Sequence, residues 1–339
     1  MESLIQVQDV VQRFIREQPC WTTFLLALGS FNALRIIYQT LSVVLQTFVL
    51  PGTSLKRFGA KKGAWAVVTG ATDGIGKEFA MQLGKAGFNV LLVARNPATL
   101  AATAGEIEQK YKVQTGTFSI DFAAATEEKY TALGEVLTGL DVGVLVNNVG
   151  KSHNMPAYLV DTPRDEMRDI VEINVNATLR VTYAILPGMV KNKRGLILNI
   201  GSFAGAIPSP MLATYSGTKA FLSTFSSALG EEVKKDGIIV ENVNTYFVVS
   251  KLSKIRKSSL LIPTPAPYVR SVLSKVGLAC GAAFSGRPNT STPYWSHALL
   301  DYAMTLVGIP SLFIRYTHNL HIDIRRRALR KLEREAKAQ

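Results

Sequence analysis

The chain has 339 residues, 47% of them hydrophobic, with 38 Lys and Arg against 25 Asp and Glu for a formal charge of +13. That length admits one large domain with appendages, and two distant cysteines, Cys20 and Cys280, exclude a disulfide framework or a cysteine-based metal site and fit a reducing compartment. The positive balance points to anionic partners, but the basic residues are scattered and no recognition motif organises them, which argues against nucleic acid.

Residues 1–20 are polar and mixed in charge, whereas residues 21–50 are almost wholly apolar. Crossing a bilayer takes about 20 such residues. Arg35 lies inside the run and would cost about 2.5–3.5 kcal/mol at the bilayer centre, less near an interface. A span over about residues 21–38 is therefore expected, with Trp21 at one surface and Arg35 near the other; the alternatives are an amphipathic helix lying on the membrane and a hydrophobic core helix. The run begins too late and is too long for a cleaved signal peptide. Arg13 and Arg16 precede it and Lys56, Arg57, Lys61 and Lys62 follow it, an imbalance that puts the remainder of the chain on the cytoplasmic side.

Pro51-Gly52 closes this segment. Residues 64–69 are short, apolar and valine-rich, which predicts a buried strand. Gly70-Ala-Thr-Asp-Gly74-Ile75-Gly76 follows at once, and then helical periodicity through Phe79, Ala80, Leu83 and Ala86. A glycine-rich turn between a strand and a helix N-terminus cradles phosphate, because backbone N–H groups and the helix dipole face the anion. The second strand is predicted at 89–94. NAD sites tend to carry Asp or Glu at its end. This chain has Ala94 and then Arg95, a cation suited to a 2′-phosphate, so NADPH is the expected cofactor.

The alternation continues with a helix at 97–110, a strand near 114–119 leading to Asp121, a helix near 127–137 and a strand at 142–146 closed by Asn147-Asn148-Val149-Gly150. Helices near 163–173 and 177–191, a strand at 195–200, a helix at 213–234 and a strand at 238–246 follow. Strands separated by helices of this length predict an α/β fold, a Rossmann-type doubly wound parallel sheet. Ligands bind at the carboxyl ends of its strands, and residues 70–76, Arg95, Asp121, 147–150 and Ser202 all fall just past strand ends.

Tyr215 and Lys219 stand one turn apart on one helix face. An ammonium beside a phenol favours the phenolate and is expected to lower its pKa. Ser202, thirteen positions before Tyr215, follows an apolar strand and can be aimed at the same spot. Tyr-x-x-x-Lys by itself is common on exposed helices; the glycine turn upstream gives it weight. Beyond residue 246 a basic cluster, Lys251, Lys254, Arg256 and Lys257, precedes Pro263-Thr-Pro265-Ala-Pro267. It reads as a loop over the cleft, either solvated or meeting a phosphorylated substrate. Residues 298–314 are apolar but contain Asp301 and Pro310, so a re-entrant or interfacial segment, or a helix pair against the domain, is expected. From Arg325 on, seven Lys and Arg stand against Glu333 and Glu335, which predicts a polar helix near anionic headgroups.

TGATDGIG at 69–76, NNVG at 147–150, Asn174, Ser202 and Tyr215-x-x-x-Lys219, in this order and spacing, resemble the short-chain dehydrogenase/reductase superfamily over about residues 62–250. Within it, NNVGKSH at 147–153, SKLSKIRKSSLLIPTP at 250–265 and the apolar N-terminal run resemble the fungal very-long-chain 3-oxoacyl-CoA reductases of the microsomal fatty-acid elongation system, which are similar to microsomal 17-beta-hydroxysteroid dehydrogenases. The resemblance implies three regions: a membrane anchor at 1–55, an NADP-binding domain at 56–290, and a membrane-associated segment with a basic cytoplasmic tail at 291–339. It implies NADPH-dependent reduction of 3-oxoacyl-CoA, with Tyr215 as general acid, Lys219 tuning it and holding the ribose, Ser202 polarising the ketone, and Asn174 holding a water that links Lys219 to solvent. Gly70, Gly74, Ile75 and Gly76 would cradle the pyrophosphate, Asp121 would accept from the adenine, and Asn148 and Gly150 would line the cofactor; as structural alternatives, Asn148 and Asn174 would brace a strand or helix and Asp121 would cap a loop. Many members carry Pro-Gly after the strand at 238–246; here Thr245-Tyr-Phe-Val-Val-Ser250 stands instead, leaving the nicotinamide carboxamide to the Val248 backbone.

The resemblance further implies an endoplasmic reticulum membrane with the catalytic domain facing the cytoplasm. Its partners would be a condensing enzyme, a dehydratase and an enoyl reductase, and a homodimer would form through the helices at 163–191 and 213–234. Only one lysine of a dilysine retention pair is in place, in Ala336-Lys337-Ala338-Gln339. A hydroxysteroid or other lipid-ketone dehydrogenase, and a catalytically silent lipid-binding scaffold, are the alternatives. Intact Ser202, Tyr215 and Lys219 argue against the last.

Overall fold

Short runs rich in Val, Leu and Ile line up side by side: β1 (Trp65–Thr69), β2 (Asn89–Ala94), β3 (Thr115–Ser119), β4 (Val142–Asn147), β5 (Gly195–Ile200), β6 (Ile238–Val243) and β7 (Thr290–Ser291). In the computed structural model of the chain they form one parallel sheet in the order β3-β2-β1-β4-β5-β6-β7. The structure describes residues 2–337; residue 1 and residues 338–339, the far ends of the expected anchor and tail and the last two residues of the incomplete dilysine signal, lie outside the described residues.

The helices are α1 (Glu2–Glu17), α2 (Pro19–Val44), α3 (Gly74–Ala86), α4 (Pro97–Tyr111), α5 (Glu127–Thr138), α6 (Arg164–Val171), α7 (Ala177–Lys191), α8 (Phe203–Ala206), α9 (Ala213–Val233), α10 (Pro265–Ser274), α11 (Trp295–Val307) and α12 (Pro310–Lys337). Because side chains alternate along a strand, Val68, Leu92, Val146 and Leu198 pack on one side against Phe79 and Leu83 of α3, Leu100 of α4 and Tyr268 of α10. Val67, Leu91, Leu145 and Ile197 pack on the other against Leu133 of α5, Val181 of α7 and Leu229 of α9. Helices on both faces of a parallel sheet make this the doubly wound fold expected from the pattern.

Several elements depart from the sequence pattern. The two helices expected at 163–191 run on without a break, joined by a π-helical turn at Glu172–Asn176. The strand expected to reach residue 246 leaves the ladder after Val243: the Thr245 carbonyl turns to accept from Phe203 N at 3.0 Å. β7, two residues opposite Asn242 and Val243, was too short and polar to read. Residues 298–314 fold as a helix pair: α11 ends at Gly308 (φ +63°) and Pro310 opens α12. Asp301, awkward in an apolar run, is buried because Arg287 Nη2, Thr292 Oγ1 and Asn244 Nδ2 donate to its carboxylate at 2.6, 2.5 and 3.0 Å.

One helix among the described residues, Pro19–Val49, is long and apolar enough to cross a membrane. Only its last turns touch the domain. Thr40 Oγ1 is 2.8 Å from Tyr302 Oη, Val43 is buried against Ala283 and Tyr302, Cys280 N donates to Gln46 Oε1 at 3.1 Å, and the Tyr38 and Phe284 rings meet edge to face at 5.8 Å.

Candidate active site

The turn after β1 follows from its glycines. Gly70 takes φ +65°, in the left-handed region open to residues without Cβ. A Cβ on Gly76 would stand 2.2 Å from the Gly70 carbonyl oxygen and 2.3 Å from Asn148 Nδ2. The backbone thus folds back on itself beneath the α3 N-terminus, where Asp73 makes no side-chain cap and the first-turn N–H groups stay open. Ile75 leans on the core beside this turn. These residues fit a dinucleotide pyrophosphate: a glycine-walled turn, close backbone approach and the positive end of a 13-residue helix.

Asn148 and Thr69 hold the turn. Asn148 Nδ2 donates to the carbonyls of Thr69 at 3.0 Å and Gly70 at 3.3 Å. Thr69 Oγ1 donates to the Val146 carbonyl at 3.3 Å and accepts from Asn148 N at 3.0 Å and Val149 N at 3.1 Å. Thr69 was missed in the sequence; a hydroxyl closing an apolar strand was its one signal. Past β2 and β3, Arg95 and Asp121 rim a recess of about 400 Å³, also lined by Ser119, Ala124 and Lys129. Their charged groups are a loose 3.9 Å apart, and both side chains are open to solvent.

Around Tyr215 the elements converge. Ser202 caps α8, accepting from Ala204 N at 3.2 Å, which leaves its hydroxyl proton free to donate. Lys219 is buried and donates to the Ile200 carbonyl at 2.7 Å, its Nζ 5.7 Å from the Tyr215 ring centre. A methyl on Gly150 would stand 3.5 Å from Asn174 Oδ1 and 3.9 Å from Lys219 Nζ. Asn174, turned inward by the π-helical turn, accepts from Lys151 N at 2.8 Å and donates to the Lys151 carbonyl at 2.9 Å and to Thr218 Oγ1 at 3.0 Å. π turns recur at functional sites, and this one brings Asn174 to Gly150 and Lys219.

The electrostatics differ from the expected lowering of Tyr215. Burial pushes its phenol up, and the Ser202 hydroxyl beside it pulls the other way. Burial also brings the Lys219 ammonium down to about 8. The cause is common to both: the polypeptide desolvates the pair, and the lysine's nearest bond goes to a backbone carbonyl rather than to the phenol.

Beneath this cluster the sheet carries buried asparagines in register. Asn147 Nδ2 donates to Asn199 Oδ1 at 2.8 Å and to Thr182 Oγ1 of α7 at 3.0 Å; Asn199 Nδ2 donates to Ser226 Oγ of α9 at 2.8 Å. They tie the helices to the strand ends. A polar residue inside an apolar strand is the only local hint of this.

Val248 is buried and its carbonyl accepts from Ser253 Oγ at 2.7 Å. The basic loop then spans the cleft. Its base is closed by Val249 N donating to the Pro263 carbonyl at 3.0 Å, Lys251 reaches Asp73 at 3.9 Å, and Lys254 donates to the Asn154 carbonyl. Arg256 and Lys257 are exposed and, among the described residues, are in no ion pair. Lys151 pairs with Asp169 at 2.7 Å, and the buried His153 Nδ1 lies 2.9 Å from Glu166 Oε1. On the far side, α12 crosses the segments that follow β4 and β5. His321 Nδ1 donates to the Pro210 carbonyl at 2.6 Å, and Arg325 donates to the Pro156 carbonyl at 2.9 Å and pairs with Asp161 at 3.3 Å.

A family model described as short chain dehydrogenase matches residues 64–259. The chain is 71% identical over 336 residues, 99% of each chain, to a Laccaria bicolor protein named very-long-chain 3-oxoacyl-CoA reductase. A protein of the same name from Mycosarcoma maydis is 52% identical over 319 residues, covering 92% of this chain and 89% of that one. Among solved structures, a 7beta-hydroxysteroid dehydrogenase superposes with a TM-score of 0.66 at 23% identity, over 78% of this chain and 99% of that one. A short-chain dehydrogenase from Sphingobium yanoikuyae in complex with NADPH gives 0.58 at 23% identity, over 72% and 95%. At such identity these two likenesses concern the fold.

Proposed function

The chain belongs to the short-chain dehydrogenase family, and from that premise we propose that it is an oxidoreductase that uses NADPH to reduce long and very-long-chain 3-oxoacyl-CoA to 3-hydroxyacyl-CoA. The observation that carries the reading is the meeting of Ser202, Tyr215 and Lys219 beside Gly150, together with 71% identity along the whole chain to a protein named for that reaction.

When bound, the reduced nicotinamide supplies the hydride. Tyr215 holds the proton that the ketone oxygen takes up as its charge develops. Its raised pKa keeps that proton on the phenol at neutral pH. Ser202 donates to the same oxygen, a preorganised donor where negative charge appears. Lys219, as ammonium, stabilises the tyrosinate left behind and holds the cofactor ribose. Asn174 holds the Lys151 turn against Thr218 and, with a water, keeps a proton route from solvent to Lys219. Gly70, Gly74, Ile75 and Gly76 take the pyrophosphate, Asn148 and Gly150 wall it, Asp121 accepts from the adenine, and the Val248 backbone meets the carboxamide. The exposed Arg95, only loosely paired, prefers a 2′-phosphate and hence NADPH to NADH.

The apolar helix anchors the chain in the endoplasmic reticulum membrane with the catalytic domain in the cytoplasm, the side favoured by Lys56, Arg57, Lys61 and Lys62. There it works beside the condensing enzyme, dehydratase and enoyl reductase of elongation, and two copies pair through α7 and α9, where Tyr183 is exposed. Membranes carrying the protein are expected to oxidise NADPH, and NADH far less, on addition of a long-chain 3-oxoacyl-CoA, with a specificity constant above that for estrone. No NADPH oxidation with the thioester overturns the reading; a higher constant for estrone favours a hydroxysteroid dehydrogenase.

A further inference from the structure

The seam between α2 and the domain fixes a common level for elements far apart in sequence. Gln46 meets Cys280, and Gly281 packs so tightly on Ala298 of α11 that a Cβ there would stand 2.2 Å from the Ala298 Cα. Nearer the apolar end of α2, Thr40 bonds Tyr302, one turn further along α11, and Tyr38 meets Phe284. Moving from Gln46 to Thr40 thus runs alongside moving from Ala298 to Tyr302, so α2 and α11 are antiparallel. As α2 leaves the domain toward its apolar stretch, α11 leaves with it. Leu306, four residues past Tyr302, lies about 6 Å further in that direction at 1.5 Å per residue.

There the chain turns through Gly308 into α12, and the turn is apolar and open. Leu306, Val307, Ile309 and Leu312 are 45%, 47%, 53% and 55% exposed, and Phe284 beside Tyr38 is 42% exposed. No charged residue falls between Asp301 and Arg315. On α2 itself, Arg35 and Tyr38 are residue types that sit at the headgroup level of a span.

We propose that the α11–α12 elbow is a second membrane contact, seated in the boundary between headgroups and acyl chains beside the point where α2 leaves the bilayer. The proposal rests on the reading of α2 as an anchor, and continuity with the α2 seam is what selects a lipid bilayer as the occupant. Arg315, exposed one turn into α12, then reaches the headgroups. Because α12 runs on from the elbow to Pro210 and Pro156, beside the segments that follow Ser202 and Gly150, seating the elbow sets the substrate end of the cleft against the lipid. A long acyl chain can then reach Tyr215 without crossing water.

The test is spin-label accessibility in the full-length protein carrying Cys20→Ser, in which Cys280 is buried, reconstituted in phosphatidylcholine–phosphatidylserine vesicles. A nitroxide is attached in turn through Ile309→Cys, Leu312→Cys, Phe31→Cys on α2 and Val136→Cys on α5, all exposed positions. Collisions with dissolved oxygen, relative to those with a water-soluble nickel chelate, are expected to be several-fold more frequent at 309 and 312 than at 136, and most frequent at 31. Labels at 309 and 312 that match 136 while 31 reports lipid overturn the elbow contact and leave the anchor standing. A label at 31 that matches 136 overturns the anchor and the elbow with it. Two neighbouring elbow positions guard against one substitution failing to fold.

Discussion

Gly76 has no room for a side chain. A Cβ there would press on the Gly70 carbonyl of the turn at 2.2 Å and on Asn148 Nδ2, which holds the turn, at 2.3 Å. Gly76→Ala is expected to weaken NADPH binding at least about tenfold, or about 1.4 kcal/mol, in a fluorescence titration. Gly105, exposed in α4 with nothing within 4 Å of its Cβ position, is the contrasting case: Gly105→Ala is expected to raise stability by up to about 1 kcal/mol in urea unfolding. Lys219 sets a pH dependence. In the proposed reaction its ammonium form is the one that stabilises tyrosinate; burial brings that ammonium down to about 8, so the form is lost as pH rises through that value. The profile of kcat/KM for ketone reduction is therefore expected to fall on the alkaline side with a limb near 8. An alkaline limb displaced toward the ordinary lysine range, near 10.4, would mean that Lys219 is not the group responsible.

At the scale of elements, the glycine turn and the Tyr215–Lys219 pair were legible because each is local: a strand, a turn and a helix in sequence, and two residues one helical turn apart. The inward turn of Asn174 was not, because the residues at Glu172–Asn176 read as ordinary helix, and the π turn serves contacts with Lys151 and Thr218. The loop at 250–262 was legible as a basic cover, but its two landing points, Asp73 and Asn154, were not. With Lys254 engaged and Lys251 only loosely paired to Asp73, Arg256 and Lys257 are the loop cations in no ion pair among the described residues and open to an anionic substrate. The double variant Arg256→Glu/Lys257→Glu is expected to raise KM for a long-chain 3-oxoacyl-CoA about tenfold or more, since each charge-assisted hydrogen bond contributes about 1.5–3 kcal/mol. The same change should leave KM for the matching pantetheine thioester, which lacks the nucleotide phosphates, nearly unaltered; equal loss on both would mean that the loop acts by shape rather than by charge.

Across the whole molecule, the apolar helix has two parts with different jobs. Residues 23–37 are exposed, whereas Val43 is 1% exposed against Ala283 and Tyr302. Deleting residues 1–35 is expected to leave the protein only peripherally bound to membranes, so that high salt extracts it, with little change in Tm. Deleting residues 1–49 uncovers the seam as well, at about 1.5–3 kcal/mol for Val43 alone, and is expected to lower Tm by several degrees in calorimetry. Equal Tm values for the two truncations would show that the seam adds nothing to stability.

The amino-acid sequence by itself determined the parallel α/β class, the glycine-rich turn between β1 and α3, the Arg95 strand end, the pairing of Tyr215 with Lys219 on one helix face and an apolar run long enough to span a bilayer. All of these are written in neighbours within a turn or a strand, where backbone sterics and side-chain periodicity act. Only the tertiary structure decided the rest. The Asn147–Asn199 tie depends on strand register, the upward pull on Tyr215 depends on how much water packing removes, and α12 reaches the Pro156 carbonyl through Arg325, 169 residues further along the chain. Such contacts form between segments that the fold brings together, and no local pattern encodes them.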